Sequence, residues 1–592
     1  MMSSPRRSPT ERAPSPTALR TLALGLLVAC AACSLKDRPG PDAVEDASPL
    51  PVLPSHAAAA RSSEGMVVTG SPHATEAGAR ILAAGGNAVD AAVAAAFALA
   101  VAEPTQSGLG GRTQLLLRMA DGTVHAIDGT TQVPAEYDPA TAPTGEHGHG
   151  AVGIPGSVAA LTRALEEHGT LSLARVLEPA RQWARYGHTL TAGEAGRLAE
   201  LLPELDPASE AAQRFRGPGG TQLEPGSLLV QEDLAGVLDL LAEDGSGAFY
   251  HGSIGHRIAE DMAAHGGFVT RSDLATYRAE DSAVGFGRFR GLQLVGAYLP
   301  ASGVTVIEAL QILDRFGLPG NEAVWAAFVA EALEASFEDR EIAESWPAEG
   351  AVAWLTSDTL ADRRAREIEV RLSGLGAERT AVRATRSPVA FEGDPSRVRT
   401  APGRIPVAAP AEEHPYTTHI SAADTFGNVV AMTQSLGPTG GSRVVTPGLG
   451  FLYASTLGGY LAGGGPGYRP WSSQAPLLVL REGVPWLVMG GAGSRRILSA
   501  IVATLSRLAD QELDLESAMA APRLHPSEGT IHVEHGWPAA DALRALGYQV
   551  ESRPSDYFAR VNVVQRSGGA FLGVGEPRWL ESAAAGPRNA GR

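Results

Sequence analysis

The chain has two cysteines in 592 residues, and both, Cys30 and Cys33, fall within its first 33 positions. The rest of the chain therefore has neither a disulfide framework nor a thiolate metal site and must be held by core burial, which its size permits. Basic charge is also scarce. Against 65 Asp and Glu stand 48 Lys and Arg, for a formal net charge of −17, so the electrostatic footprint of a nucleic-acid partner is missing. Long apolar runs are lacking too. Leu22–Ala29 and the roughly 12 apolar residues after Asp90 both fall short of the ~20 that a membrane-spanning helix needs.

The amino-terminal stretch reads as a targeting segment. Arg6, Arg7, Arg12 and Arg20 form a basic region before Leu22–Ala29. The run Leu27-Val28-Ala29-Cys30 resembles a bacterial lipoprotein signal, with Cys30 lipidated after cleavage, Cys33 a second candidate and a plain secretory signal the alternative. On this reading residues 1–30 are the signal region. Residues 31–64, rich in Pro, Ala and acidic groups, are a flexible tether. The protein would sit in the cell envelope, touching the membrane through a lipid anchor only.

Beyond the tether the pattern mixes helix and strand. A helix is expected from Glu76 to Ala84, stopping at Gly85-Gly86, and a nearly all-apolar core helix from Ala88 to Ala102 carrying Asp90. Leu115–Leu117 and Val124–Ile127 read as strands paired around Asp121-Gly122. Helical patterns dominate from Ser157 to Leu241 and return at Val304–Phe316 and Ala323–Ala343. The Arg-, Ala- and Pro-rich region from Arg363 to Glu413 is poorly periodic and reads as a loop. Strands are expected from Thr418 to Asp424, Val429 to Met432, Leu477 to Leu480 and Trp486 to Met489, then a helix from Ile497 to Leu508. Sheets covered by helices are the expected outcome.

In "HPYTTHISAADTFGNVVAMTQSLG", Thr417 opens a strand after a polar, Pro-containing segment. Ordinary β-propensity accounts for a Thr there. The other reading is that the chain is cut after Tyr416, making Thr417 a new amino terminus. A Thr hydroxyl attacks only when a base takes its proton. A freed α-amino group, with an ordinary pKa near 8, is such a base on the same residue, and neither group needs a metal or cofactor. His147 and His149 in "EHGHG" lack the spacing and carboxylate partner of a metal motif.

The segments "GARILAAGGNAVDAAVAAAFALAV", "GLGGRTQLLLRMADGTVHAID", "GIPGSVAALTRALEEHG", "GGFVTRSDLATY", "TTHISAADTFGNVVAMTQSLG", "RPWSSQAP", "GGAGSRR" and "APRLH", in this order, resemble the γ-glutamyltranspeptidases, a family of N-terminal nucleophile hydrolases. The resemblance runs from about Gly65 to Arg578. It implies an α+β protein with a four-layer αββα fold and a precursor that cuts itself into a large subunit, 65–416, and a small subunit, 417–592, which stay together as a heterodimer. Thr417 would be the nucleophile and Ser435 the hydroxyl beside its amine, though a simple strand-end Ser remains the alternative for Ser435. Gly493 and Ser494 would supply oxyanion N–H groups, with Ser in place of the family's second glycine. Ser472 and Ser473 would contact the donor's α-carboxylate. The expected substrate is a small-molecule amide or peptide, by family default a γ-glutamyl amide such as glutathione.

Departures from the family concentrate where that head group would bind. Thr130 stands where the resemblance implies an Arg clamp, Gly459 where it implies an acid, and Gly437 where it implies an Asn. A neutral hydroxyl cannot make a bidentate ionic clamp. Arg112 replaces a glycine of the family's glycine run and is either a substitute cation or a surface residue. The short stretch from Gly459 to Ser472 suggests an open cleft without a lid, hence a bulkier acyl donor, as in the related cephalosporin acylases. A non-enzymatic binding lipoprotein is the remaining alternative. The retained Thr417, Ser435 and Gly493-Ser494 speak against it; the lost head-group residues speak for it.

Overall fold

A computed structural model describes residues 57–140, 142, 145–317, 321–374, 416–458 and 464–587. The expectations on Cys30, Cys33 and Gly459 lie outside the described residues.

Among the described residues, fourteen strands build two large sheets. In chain order they are β1 (Ala59–Ser62), β2 (Met66–Thr69), β3 (Arg112–Arg118), β4 (Val124–Gly129), β5 (Glu280–Asp281), β6 (Ala283–Phe289), β7 (Leu292–Tyr298), β8 (Thr417–Ala423), β9 (Val429–Ser435), β10 (Leu477–Arg481), β11 (Val484–Ala492), β12 (Arg560–Ser567), β13 (Ala570–Val574) and β14 (Ala583–Ala585). One sheet runs β14-β2-β8-β9-β3-β4-β5 and the other β1-β13-β12-β11-β10-β7-β6. All pairings in both are antiparallel.

The strand sequences dictate the layering. On β3, Leu115 and Leu117 join one apolar cluster while Leu116 joins another; Val430 and Met432 alternate in the same way with Val429 and Ala431 on β9. On β10, Leu477 and Val479 join a third cluster while Leu478 and Leu480 share the second. Alternation along a strand sends neighbours to opposite faces, so the second cluster is the seam between the sheets. Helices close the outer faces. The first sheet packs under α1 (Pro72–Ala83), α2 (Ala88–Ala102), α3 (Ser157–His168) and α4 (Leu173–Tyr186). The second packs under α6 (Gly303–Leu313), α7 (Glu322–Ala343), α8 (Asp358–Gly374) and α9 (Arg496–Asp510). The result is the expected αββα arrangement. Another helix, α5 (Ala192–Leu201), lies outside this stack and matters for the site.

Helix α2 is buried along all 15 residues, as an all-apolar helix must be. Its start is fixed by a capping box. Asn87 accepts from Val89 and Asp90 N–H, and the Asp90 carboxylate takes N–H groups from Asn87, Thr170 and Leu171. The expected loop from Arg363 needs correction, because α8 runs through Gly374. Leu360, Ala361, Ala365, Ile368 and Leu372 are buried at helical spacing, and Arg364 makes a two-pronged contact with Asp339 at 2.7 Å. The many arginines hid that apolar stripe.

Both sheets mix strands from the two sides of Thr417. Strands β8 and β9 lie between β2 and β3 in one, and β10 to β13 lie between β1 and β7 in the other.

Candidate active site

The β8–β9 register sets Thr417 opposite Ser435, and the β9–β3 register sets Ser435 opposite Arg112. Paired residues share a sheet face, so the three side chains form one row, on the face that carries Ala423, Ala431 and Leu116 into the inter-sheet seam. On β3 and β4, Thr113 faces Gly129; one residue further puts Thr130 next in the row.

Hydrogen bonds organise the Thr417 end. Thr417, 7% exposed, donates from Oγ1 to Ser435 Oγ at 3.1 Å. Ser435 Oγ donates to the Tyr416 carbonyl oxygen at 3.0 Å and accepts from Gly437 N–H at 2.9 Å. Gly437 thus orients Ser435 through its backbone, at φ +91°. The Tyr416–Thr417 peptide therefore has a polarised carbonyl beside the hydroxyl that would attack it. The adjacent His419 is no rival base. Burial pushes its pKa down to about 3, and Thr433 and Ser421 hydroxyls occupy its ring nitrogens at 2.8 and 3.1 Å.

Gly493 and Ser494 make the turn from β11 into α9. Gly493 has φ +135°, and a Cβ there would lie 2.7 Å from Ala559 Cα, so the position admits only glycine. Ser494 sits at φ +61°, in the left-handed region. Ala492, just before the turn, lines a cavity together with Thr417. Ser472 and Ser473 are half-buried on the lead-in to β10. Ser472 N–H donates to Pro300 O at 2.8 Å, and its carbonyl accepts from Ser302 Oγ at 2.5 Å and Arg340 Nη2 at 3.2 Å. Arg340, 3.5 Å from the Trp471 ring centroid, braces this segment.

The other end of the row is closed. Thr130 is fully buried and accepts from Gln114 Nε2 at 2.5 Å. Gln114 Nε2 also donates to Asp128 Oδ1 at 2.8 Å, and Arg469 Nη1 donates to Asp128 Oδ2 at 3.2 Å. Arg112 is only 4% exposed, which removes the surface-residue alternative.

On the far side of Thr417 is a charged cluster that no sequence motif singled out. Glu103, at the end of α2, is fully buried, and burial above all pushes its pKa up to about 7. Arg197 on α5 lies 3.8 Å from it, while Glu194, Glu581 and Arg560 act on it electrostatically. Arg560 Nη2 reaches the Thr417 carbonyl at 3.4 Å. The signal was a lone acid ending an apolar helix. Arg340 and Arg469 gave less warning, since both act through contacts from distant segments.

Among the described residues, His149, Asp261 and His265 bring three ligand-type atoms together. His147 is elsewhere, near Gly441 O. The Asp261 carboxylate already contacts His149 at 3.3 Å, His265 at 2.9 Å and the Thr446 hydroxyl at 2.6 Å, which accounts for the cluster as ion pairs and hydrogen bonds.

Known proteins share the sequence pattern and the fold. The Gamma-glutamyltranspeptidase family model matches residues 74–586. The chain belongs to that family. Acylase ACY 1 proenzyme of Pseudomonas sp. (strain SE83) is 34% identical over 84% of this chain and 88% of its own length. Glutathione hydrolase proenzyme of Escherichia coli (strain K12) is 31% identical over 89% and 92%. The crystal structure of a cephalosporin acylase from Bacillus halodurans shares the fold, with a TM-score of 0.75 and 24% identity over 90% of this chain and 98% of that one. The protein is thus an enzyme of the N-terminal nucleophile hydrolase type.

Proposed function

We propose that Thr417 is the nucleophile of both self-cleavage and catalysis. In the precursor its hydroxyl oxygen attacks the Tyr416 carbonyl, with Ser435 donating to that carbonyl oxygen. The C–N bond breaks, the nitrogen gains a proton and becomes the Thr417 amine, and water hydrolyses the resulting ester. In the mature enzyme this amine takes the hydroxyl proton as Thr417 attacks an amide donor, then passes it to the leaving amine. Water or an acceptor amine releases the acyl group. Backbone N–H groups of Gly493 and Ser494 serve the oxyanion. The hydrogen-bonded chain Thr417–Ser435–Tyr416 carbonyl carries this reading. On a denaturing gel wild type should run as two fragments, the smaller beginning at Thr417, while Thr417→Ala stays as one inactive chain. An uncut wild type that still turns over substrate would falsify the assignment.

The acyl donor is an amide for which the usual glutamyl head-group contacts are rebuilt. Thr130, already accepting from Gln114, supports this. Arg112, one strand away, is the residue that would hold a donor carboxylate, with Ser472 and Ser473. A bulkier N-acyl donor is favoured by the same observation, and the name of the acylase relative is consistent with it.

We also infer that the protein is an envelope lipoprotein attached through Cys30. The basic and apolar residues before Cys30 support it. Cys30→Ala should move the protein from the membrane to the soluble fraction, whereas unchanged fractionation counts against Cys30 as the anchor.

A further inference from the structure

Beside Thr417 lies a cavity of about 10 Å³, room for about one water molecule. Its lining includes Thr417, Thr418, Glu103, Gln106 and Ser582. Five of their side-chain atoms are buried without a hydrogen bond: both carboxyl oxygens of Glu103, Gln106 Oε1, Thr418 Oγ1 and Ser582 Oγ. An unsatisfied buried polar atom costs about 1–3 kcal/mol, and so many around one water-sized space call for a polar occupant. The charges point the same way. Glu103, Glu194 and Glu581 are three carboxyls facing two guanidiniums, Arg197 and Arg560, so the cluster is one positive charge short when all are ionised.

We propose that this cavity holds one water that links the Glu103 carboxylate to the amino group created on Thr417 by cleavage, making Glu103 a positioning residue for the nucleophile. The inference rests on Thr417 being that nucleophile. In the precursor Thr417 offers only a peptide N–H. After the cut, its ammonium supplies the missing positive charge. When the amine accepts the hydroxyl proton during attack, the ammonium forms beside a carboxylate already in place, and no proton leaves Thr417 for Glu103. Burial raises the Glu103 pKa toward that of an α-amine, so the two titrate as a coupled pair. Arg197 opposes this rise, and Glu194 and Glu581 add to it.

A neighbouring carboxylate raises the pKa of an amine. Removing it should make the amine neutral, and able to act as a base, at lower pH. The test compares matured wild type with Glu103→Gln, using p-nitrophenyl acetate to acylate Thr417 and nitrophenol release to read the rate against pH. In Glu103→Gln the acid limb should move down by at least half a pH unit and the plateau should fall about tenfold, because the ammonium formed in the transition state loses its partner. A limb that superimposes on wild type overturns the proposal. Should Glu103→Gln fail to fold or mature, Thr418→Val decides. It removes one lining hydroxyl and keeps the shape, and a limb within 0.2 unit of wild type again overturns it. If wild type itself carries no amino-terminal Thr417, the nucleophile assignment fails instead.

Discussion

The two ends of one side-chain row differ in what they leave open. At the Thr417 end the hydrogen bonds run into the Tyr416–Thr417 peptide, through Ser435 to the Tyr416 carbonyl. At the Thr130 end they run inward, through Gln114 and Asp128 to Arg469. One end is arranged around the bond proposed to be cut, the other around itself. Both ends lie on one sheet, across its strands β8, β9, β3 and β4. The Thr417 end depends on the Ser435 hydroxyl, which both accepts and donates. The recognition end needs only a charge in reach, and that charge can come from a neighbouring strand about 5 Å away.

Breaking the reacting end should have the larger effect. Ser435→Ala removes the acceptor for Thr417 and the donor to the Tyr416 carbonyl. Self-cleavage, followed as loss of precursor on a gel, should slow about 10²-fold, the scale of a lost oxyanion donor. Ser435→Thr keeps the hydroxyl and should stay within a few-fold of wild type. Equal rates for wild type and Ser435→Ala would reduce Ser435 to a strand-end residue.

The recognition end is sharpened by Arg112→Ala. A charged contact to a ligand contributes about 1.5–3 kcal/mol, so kcat/KM for a γ-glutamyl anilide should fall about 10- to 100-fold, with self-cleavage unchanged. A screen of larger N-acyl amides should reveal a better donor. Efficient γ-glutamyl turnover that ignores Arg112→Ala would mean that other residues read the head group.

The smallest effect is expected at Ser494. Its φ of +61° costs a non-glycine residue about 1 kcal/mol. Ser494→Gly should therefore raise stability by up to about that amount, offset in part by the greater freedom of glycine in the unfolded chain. Turnover should hold, because the backbone N–H is unchanged; a thermal melt and one rate measurement check both.

Much of this was legible in the sequence because it is local. The strand ends at Thr417 and Ser435, the turn at Gly493-Ser494 and the apolar run of α2 each occupy a few consecutive residues whose pattern names the element. The four-layer fold came from the family resemblance, and the apolar alternation of β3, β9 and β10 bears it out. Helix α8 was missed because charge masked a stripe of small apolar residues. Glu103 was missed because its meaning depends on α5, β12 and the segment before β14, and no spacing along the chain brings Glu103, Arg197, Arg560 and Glu581 together. The occupied state of Thr130 was hidden for the same reason, since the residues that engage it, Gln114 on β3 and Tyr277 before β5, come from separate segments.

Because both sheets interleave strands from before and after Thr417, cutting the chain there cannot release either piece without tearing both sheets. Maturation instead changes the order of the folding reaction. An uncut chain folds as one tethered molecule, its two parts held at an effective concentration set by their connection. The matured pair, once denatured and diluted, must find each other as two molecules. If the cut falls at Thr417 as proposed, persistence then depends on how slowly the pair comes apart, and the mature protein would be a kinetic memory of a fold that only the uncut chain could assemble readily.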